Sequence, residues 1–86
     1  MSVVVELFGV PRHKAGRAEV AVEAATVAEA LAELQRACPG LSGLLRDGRL
    51  APHYLLSLGG ARFLSDLAEP LGPGDRLLLL SADAGG

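Results

Sequence analysis

The chain closes on Ser81-Ala82-Asp83-Ala84-Gly85-Gly86, and the terminal carboxylate of Gly86 is the group whose surroundings best suit covalent chemistry. A carboxylate is a poor electrophile at neutral pH. It acylates another molecule only after conversion to a mixed anhydride, typically with ATP, inside another protein's active site. Gly85 and Gly86 carry no Cβ, so such an end can thread a narrow channel and let a nucleotide phosphate or a sulfur donor reach the backbone carbonyl. With 11 glycines in 86 residues, two of them close a chain by chance about 1 to 2 times in 100. The pair alone is therefore a weak motif, and it gains weight from the fold that presents it.

The other chemistry-bearing residues are scattered. His13 falls in a predicted turn and His53 at a predicted strand start. Neither has a serine, cysteine or carboxylate at a spacing that makes a nucleophile and base pair, so both read as surface histidines. Cys38 is the single cysteine, which excludes an internal disulfide and any multi-cysteine zinc site. It ends an apolar helical stripe, the setting of a buried, inert thiol, and a lone thiol fits a reducing, cytoplasmic setting. Arg12, His13, Lys14 and Arg17 form a small basic loop that can meet an acidic partner or a phosphate, or serve only as a solvated hairpin tip. Gly59-Gly60 and Gly72-Pro73-Gly74 lack the strand-to-helix context of phosphate loops and read as structural turns. These residues offer no active site, bound cofactor or metal site of the chain's own.

The elements that position the terminus follow from composition and periodicity. Eighty-six residues support one hydrophobic core and so one domain, 1-86, with a projecting flexible tail at 82-86. Half the residues are apolar but only two Phe and one Tyr are aromatic, so the interior is aliphatic. A net charge of −2 with interspersed signs gives no footprint for nucleic acid. No apolar run reaches membrane-spanning length, and the N-terminus does not read as a signal peptide.

Val3 to Phe8 reads as a strand, residues 9 to 16 as a turn, and Glu19 to Glu23, with Val20 and Val22 facing inward, as the second strand of a hairpin. Thr26 and Glu29 make a capping box at the start of a helix whose stripe runs Val27, Leu31, Leu34, Cys38. Pro39-Gly40 ends that helix. A short helical turn over Leu41 to Leu45, a turn at Arg46-Asp47-Gly48-Arg49, a strand over Tyr54 to Leu58 and an edge strand at Phe63 and Leu64 follow. After the Leu71-Gly72-Pro73-Gly74-Asp75 turn comes the last strand, Arg76 to Ser81, whose four leucines suit burial on both faces at the middle of a sheet. This order places one main helix across one face of a mixed sheet, an α+β architecture of two layers. With the first and last strands central and parallel, it is the ubiquitin-like β-grasp.

The sequence resembles the MoaD/ThiS family of ubiquitin-like sulfur carriers, and the molybdopterin synthase small subunit more than the shorter thiamin carrier. The resemblance rests on Val5-Glu6-Leu7-Phe8-Gly9, Thr26-Val27-Ala28-Glu29-Ala30-Leu31, Leu71-Gly72-Pro73-Gly74-Asp75 and terminal Gly85-Gly86. The segment Leu41 to Leu50 favours the longer branch. The resemblance implies that an E1-like adenylating enzyme activates Gly86 with MgATP and that a sulfurtransferase or persulfide donor converts it to a thiocarboxylate. It implies as acceptor a pterin precursor on the large subunit of molybdopterin synthase, or in other branches a thiazole precursor or a tRNA uridine. A ubiquitin-like modifier joined to lysines through Gly86, and a non-covalent β-grasp interaction module, are the alternatives. Gly59-Gly60 stands where the family often has an Asn-Gly turn, and Ser81-Ala82-Asp83-Ala84 lacks the proline and bulky residues common in its tails.

Overall fold

Alternating side chains build the sheet. In β1 (Ser2–Leu7) Val3, Val5 and Leu7 are buried while Ser2, Val4 and Glu6 face the other way, and β2 (Glu19–Glu23) buries Val20 and Val22 between exposed Glu19, Ala21 and Glu23. This is the period-two pattern of a sheet with one face on the core. The computed structural model describes residues 2-82. Along it follow α1 (Val10–Ala15), α2 (Val27–Ala37), a 3-10 turn at Pro39–Leu41, β3 (Leu45–Arg46), β4 (Arg49–Leu50), β5 (Tyr54–Leu58), β6 (Arg62–Phe63) and β7 (Arg76–Ser81).

The main sheet has the order β2-β1-β7-β5-β6. β1 runs antiparallel to β2 and parallel to β7, and β7 runs antiparallel to β5. The last strand is thus central, and α2 lies across one face, the expected β-grasp. From α2 the sheet receives Val27, Ala30, Leu31 and Leu34, all fully buried against Val5, Leu56, Leu77 and Leu79 in one aliphatic cluster. Each leucine so buried contributes roughly 1.5 to 3 kcal/mol of transfer free energy.

The start of α2 is saturated with hydrogen bonds. Thr26 Oγ1 accepts from Glu29 N at 3.2 Å, and Glu29 Oε1 accepts from Ala25 N at 2.8 Å, one residue earlier than the usual capping box. The next orphan donors find backbone: Val27 N donates to Glu69 O and Ala28 N to Leu67 O. The loop before β7 therefore closes the helix end.

Three local expectations are corrected. Residues 9 to 16 do not form a simple turn. Pro11 sits in the first turn of α1, where its missing N–H costs nothing, and Gly16 closes the helix with a left-handed φ of 72°. Arg12, His13 and Lys14 thereby fall in its last turn, where cations complement the helix dipole. The second helical turn is the 3-10 turn at Pro39–Leu41, and Leu45 instead enters a two-strand ribbon with Leu50. The ribbon turns on Asp47 and Gly48, both at positive φ (51° and 75°), as a type I′ hairpin requires. The edge strand is Arg62–Phe63, one residue earlier than expected.

Candidate functional site

The leucine run of β7 divides between two environments. Leu77 and Leu79 are fully buried under α2, whereas Leu78 and Leu80 are half-buried on the opposite, helix-free face of the sheet. The expectation of burial on both faces is corrected here, because the helical layer covers one side only. Register carries the apolar character across that open face. Leu80 pairs with Leu55, and Leu78 pairs with Ser57, which pairs in turn with Phe63. Leu55 is 37% exposed and Phe63 66%, and Phe8, which follows buried Leu7, is 37% exposed. Solvent-exposed side chains of this size on one sheet face make a surface suited to a protein partner. Ser57 within it satisfies its own hydroxyl, donating to Gly59 O at 2.8 Å.

Charge borders the apolar surface on its β1 and β2 side. Arg76 Nη1 bonds the carboxylate of Glu6 and also that of Glu19, the latter at 3.1 Å. Hydrogen bonding first to Glu6 and then to Glu19 raises the guanidinium further above its ordinary value, so this cation is permanent. The three side chains tie β7, β1 and β2 together on the open face. At the other edge Arg62 makes a two-pronged pair with Glu69, fixing β6 to the loop that caps α2.

β7 and the residue after it bring the chain as far as Ala82 beside this surface. Tyr54 pairs with Ser81, and Ala82 N donates to His53 O at 2.8 Å, so the backbone is held as far as Ala82. The His53 and Tyr54 rings lie 4.3 Å apart at that end of the sheet. Gly85 and Gly86, the expected working residues, lie outside the described residues.

The structure places the remaining candidates apart from one another. Cys38 is buried in the aliphatic core at the end of α2. His13 lies in α1 and His53 before β5. Among the described residues no group of His, Cys, Asp or Glu is close enough to hold a metal ion, and no helix is long and apolar enough to cross a membrane. The identities of the open-face residues were hidden in the sequence, because four consecutive leucines carry no alternation. Phe63 was visible as part of a short edge strand, though not as a member of a surface.

No protein-family model matches the chain, and no curated protein matches it. Solved structures do. SAMP1 from Haloferax volcanii is 33% identical, with a TM-score of 0.85 over 100% of both chains. A chain in the protein-protein complex of subunits 1 and 2 of the molybdopterin-converting factor from Helicobacter pylori is 27% identical, with a TM-score of 0.71 over 100% of both chains. A chain of the Amycolatopsis orientalis BexX/CysO complex is 24% identical, with a TM-score of 0.81 over 98% of this chain and 99% of that one, and so shares its fold.

Proposed function

Because the chain belongs to the MoaD/ThiS-like family of ubiquitin-fold sulfur carriers, we propose that it carries sulfur as a thiocarboxylate at Gly86. The observation that carries the reading is the central strand β7. It leaves Leu78 and Leu80 partly exposed on the helix-free face and is followed in the sequence by the glycine-ended tail. Docking energy would come from the open face, and the covalent step would take place in the partner, so the chain itself is a substrate and not an enzyme.

In the first step a carboxylate oxygen of Gly86 attacks the α-phosphorus of ATP on an E1-like adenylating enzyme. The P–O bond to pyrophosphate breaks and an acyl adenylate forms, with Mg belonging to that enzyme. The terminal sulfur of a persulfide on the sulfurtransferase then displaces AMP to give an acyl disulfide. A second thiol of that donor attacks the cysteine sulfur, breaking the S–S bond, forming a cysteine disulfide and releasing the thiocarboxylate. Gly85 supplies clearance at the carbonyl. As acceptor we assign a pterin precursor held by the large subunit of molybdopterin synthase, a reading supported by the likeness to a chain of the Helicobacter pylori complex of subunits 1 and 2.

The test is intact-mass measurement after incubation with the cognate adenylating enzyme, ATP and a sulfur donor. Exchange of one oxygen for sulfur at the C-terminus is expected, and its absence beside a competent control carrier defeats the assignment. A second reading, conjugation to lysine, is favoured by 33% identity to SAMP1, a small archaeal modifier protein. Lysine-linked adducts that vanish on deletion of Gly86 identify that activity. Adding one residue after Gly86 abolishes either covalent activity and spares a purely non-covalent module.

A further inference from the structure

The eight Lys and Arg side chains are seven arginines and a single lysine, Lys14. The distinction is chemical. A guanidinium stays protonated and does not attack an acyl group, whereas a lysine amine does so once it loses a proton. An activated Gly86 therefore meets one nucleophilic side-chain amine on any copy of this chain. Lys14 is exposed in the last turn of α1, and among the described residues no carboxylate is ion-paired with it. Its backbone is held: a Cβ on Gly40 would overlap the Lys14 carbonyl oxygen, so the last turn of α1 rests directly on the 3-10 turn. The 3-10 turn packs in turn on α2, and α1 also meets β7, the strand that leads toward the tail. Lys14 is exposed and is not one of the open-face side chains Leu78, Leu80 and Leu55.

We propose that Lys14 is the acceptor through which copies of this chain are joined to one another, by a single linkage type: an isopeptide from Gly86 of one copy to Nζ of Lys14 of the next. The inference rests on the activation of Gly86 proposed above. The neutral amine adds to the carbonyl of the Gly86 adenylate and a C–N bond forms. The C–O bond to AMP breaks, AMP leaves with the electron pair, and the amine proton passes to solvent. No oxidant or reductant enters. Gly86 lies four residues beyond Ala82, a reach of at most about 14 Å, which is taken up when an enzyme channel holds the activated end. The attacking amine is therefore another copy's.

The full chain, its adenylating enzyme and MgATP, without a sulfur donor, test this. ATP-pyrophosphate exchange reports activation, and intact mass reports the product. The expected product has the mass of two chains less one water. On tryptic digestion it yields His13–Arg17, uncut at Lys14 and bearing the branch Leu77–Gly86, since trypsin cuts the donor after Arg76. Lys14→Arg keeps the charge and should abolish the product while exchange continues. Dimers that persist in Lys14→Arg, activation without dimers, or a single chain less one water each overturn the proposal. Loss of exchange in the wild-type chain overturns the carrier reading itself, and this inference with it.

Discussion

Replacing Gly40 with alanine tests how the two helical segments are joined. Gly40 is not among the glycines at positive φ, so alanine strains no dihedral there. The cost is contact. The new Cβ lands inside the Lys14 carbonyl oxygen and 3.0 Å from its carbonyl carbon, both backbone atoms of α1. Backbone cannot rotate aside as a side-chain tip can, so α1 must retreat by about 1.3 Å to take the carbon-oxygen separation from 2.0 Å to an ordinary value of about 3.3 Å. Forced insertion of this kind costs about 1 to 3 kcal/mol, and two rigid segments in contact place it near 3. In a domain this small, each kcal/mol lowers Tm by about 4 to 8 °C, so the fall is expected to be at least 10 °C, or about 12 to 24 °C at 3 kcal/mol. Thermal unfolding followed by circular dichroism measures it, and urea unfolding gives the free-energy difference. Gly60→Ala, at a site with no neighbour within 4 Å and no positive φ, is the control and should be neutral within about 0.5 kcal/mol. If Gly40→Ala matches that control, α1 does not rest on the 3-10 turn as described, and the fixed backbone under Lys14 is lost with it.

Thr26→Ala removes the acceptor for Glu29 N and should cost about 1 kcal/mol in urea unfolding, with no further loss because Val27 N and Ala28 N keep their backbone acceptors. Leu34→Ala opens a cavity at the centre of the core and is expected to cost about 2 to 5 kcal/mol, read as a fall in midpoint at unchanged slope. Leu80→Ser, on the half-buried open face, should cost under about 1 kcal/mol while weakening binding to the adenylating enzyme severalfold by calorimetry. Unchanged binding would remove the open face from the docking surface.

The sequence disclosed the frame because local signals and global fold agree along most of it. Thr26 and Glu29 mark a helix start, Val20 and Val22 alternate with glutamates, and Asp47-Gly48 sits where two positive φ angles are needed. The misread segments are those where tertiary contact decides. Residues 10 to 15 are too few to nucleate a helix unaided. They hold because Pro11 is buried and the 3-10 turn receives their backbone. Pro39-Gly40 ends α2 as expected, but the sequence did not show that the missing Cβ of Gly40 leaves room for the Lys14 carbonyl. Which leucines face outward was illegible for a different reason: Leu77 to Leu80 are chemically alike, and only the single-sided helical layer separates the two buried ones from the two half-buried ones on the open face.

The placement of β7 also has a mechanical consequence. It is bonded to a parallel strand on one side and an antiparallel strand on the other, four residue pairs with β1 and five with β5. Traction applied beyond Ser81 runs along the strand axis, so both ladders are loaded in shear and their bonds must yield together instead of opening one by one. An enzyme that draws the tail taut gains a straight, tensioned segment while the domain stays folded against its mouth as a stop. How long the domain withstands such a pull is then set by its unfolding rate and not by its equilibrium stability.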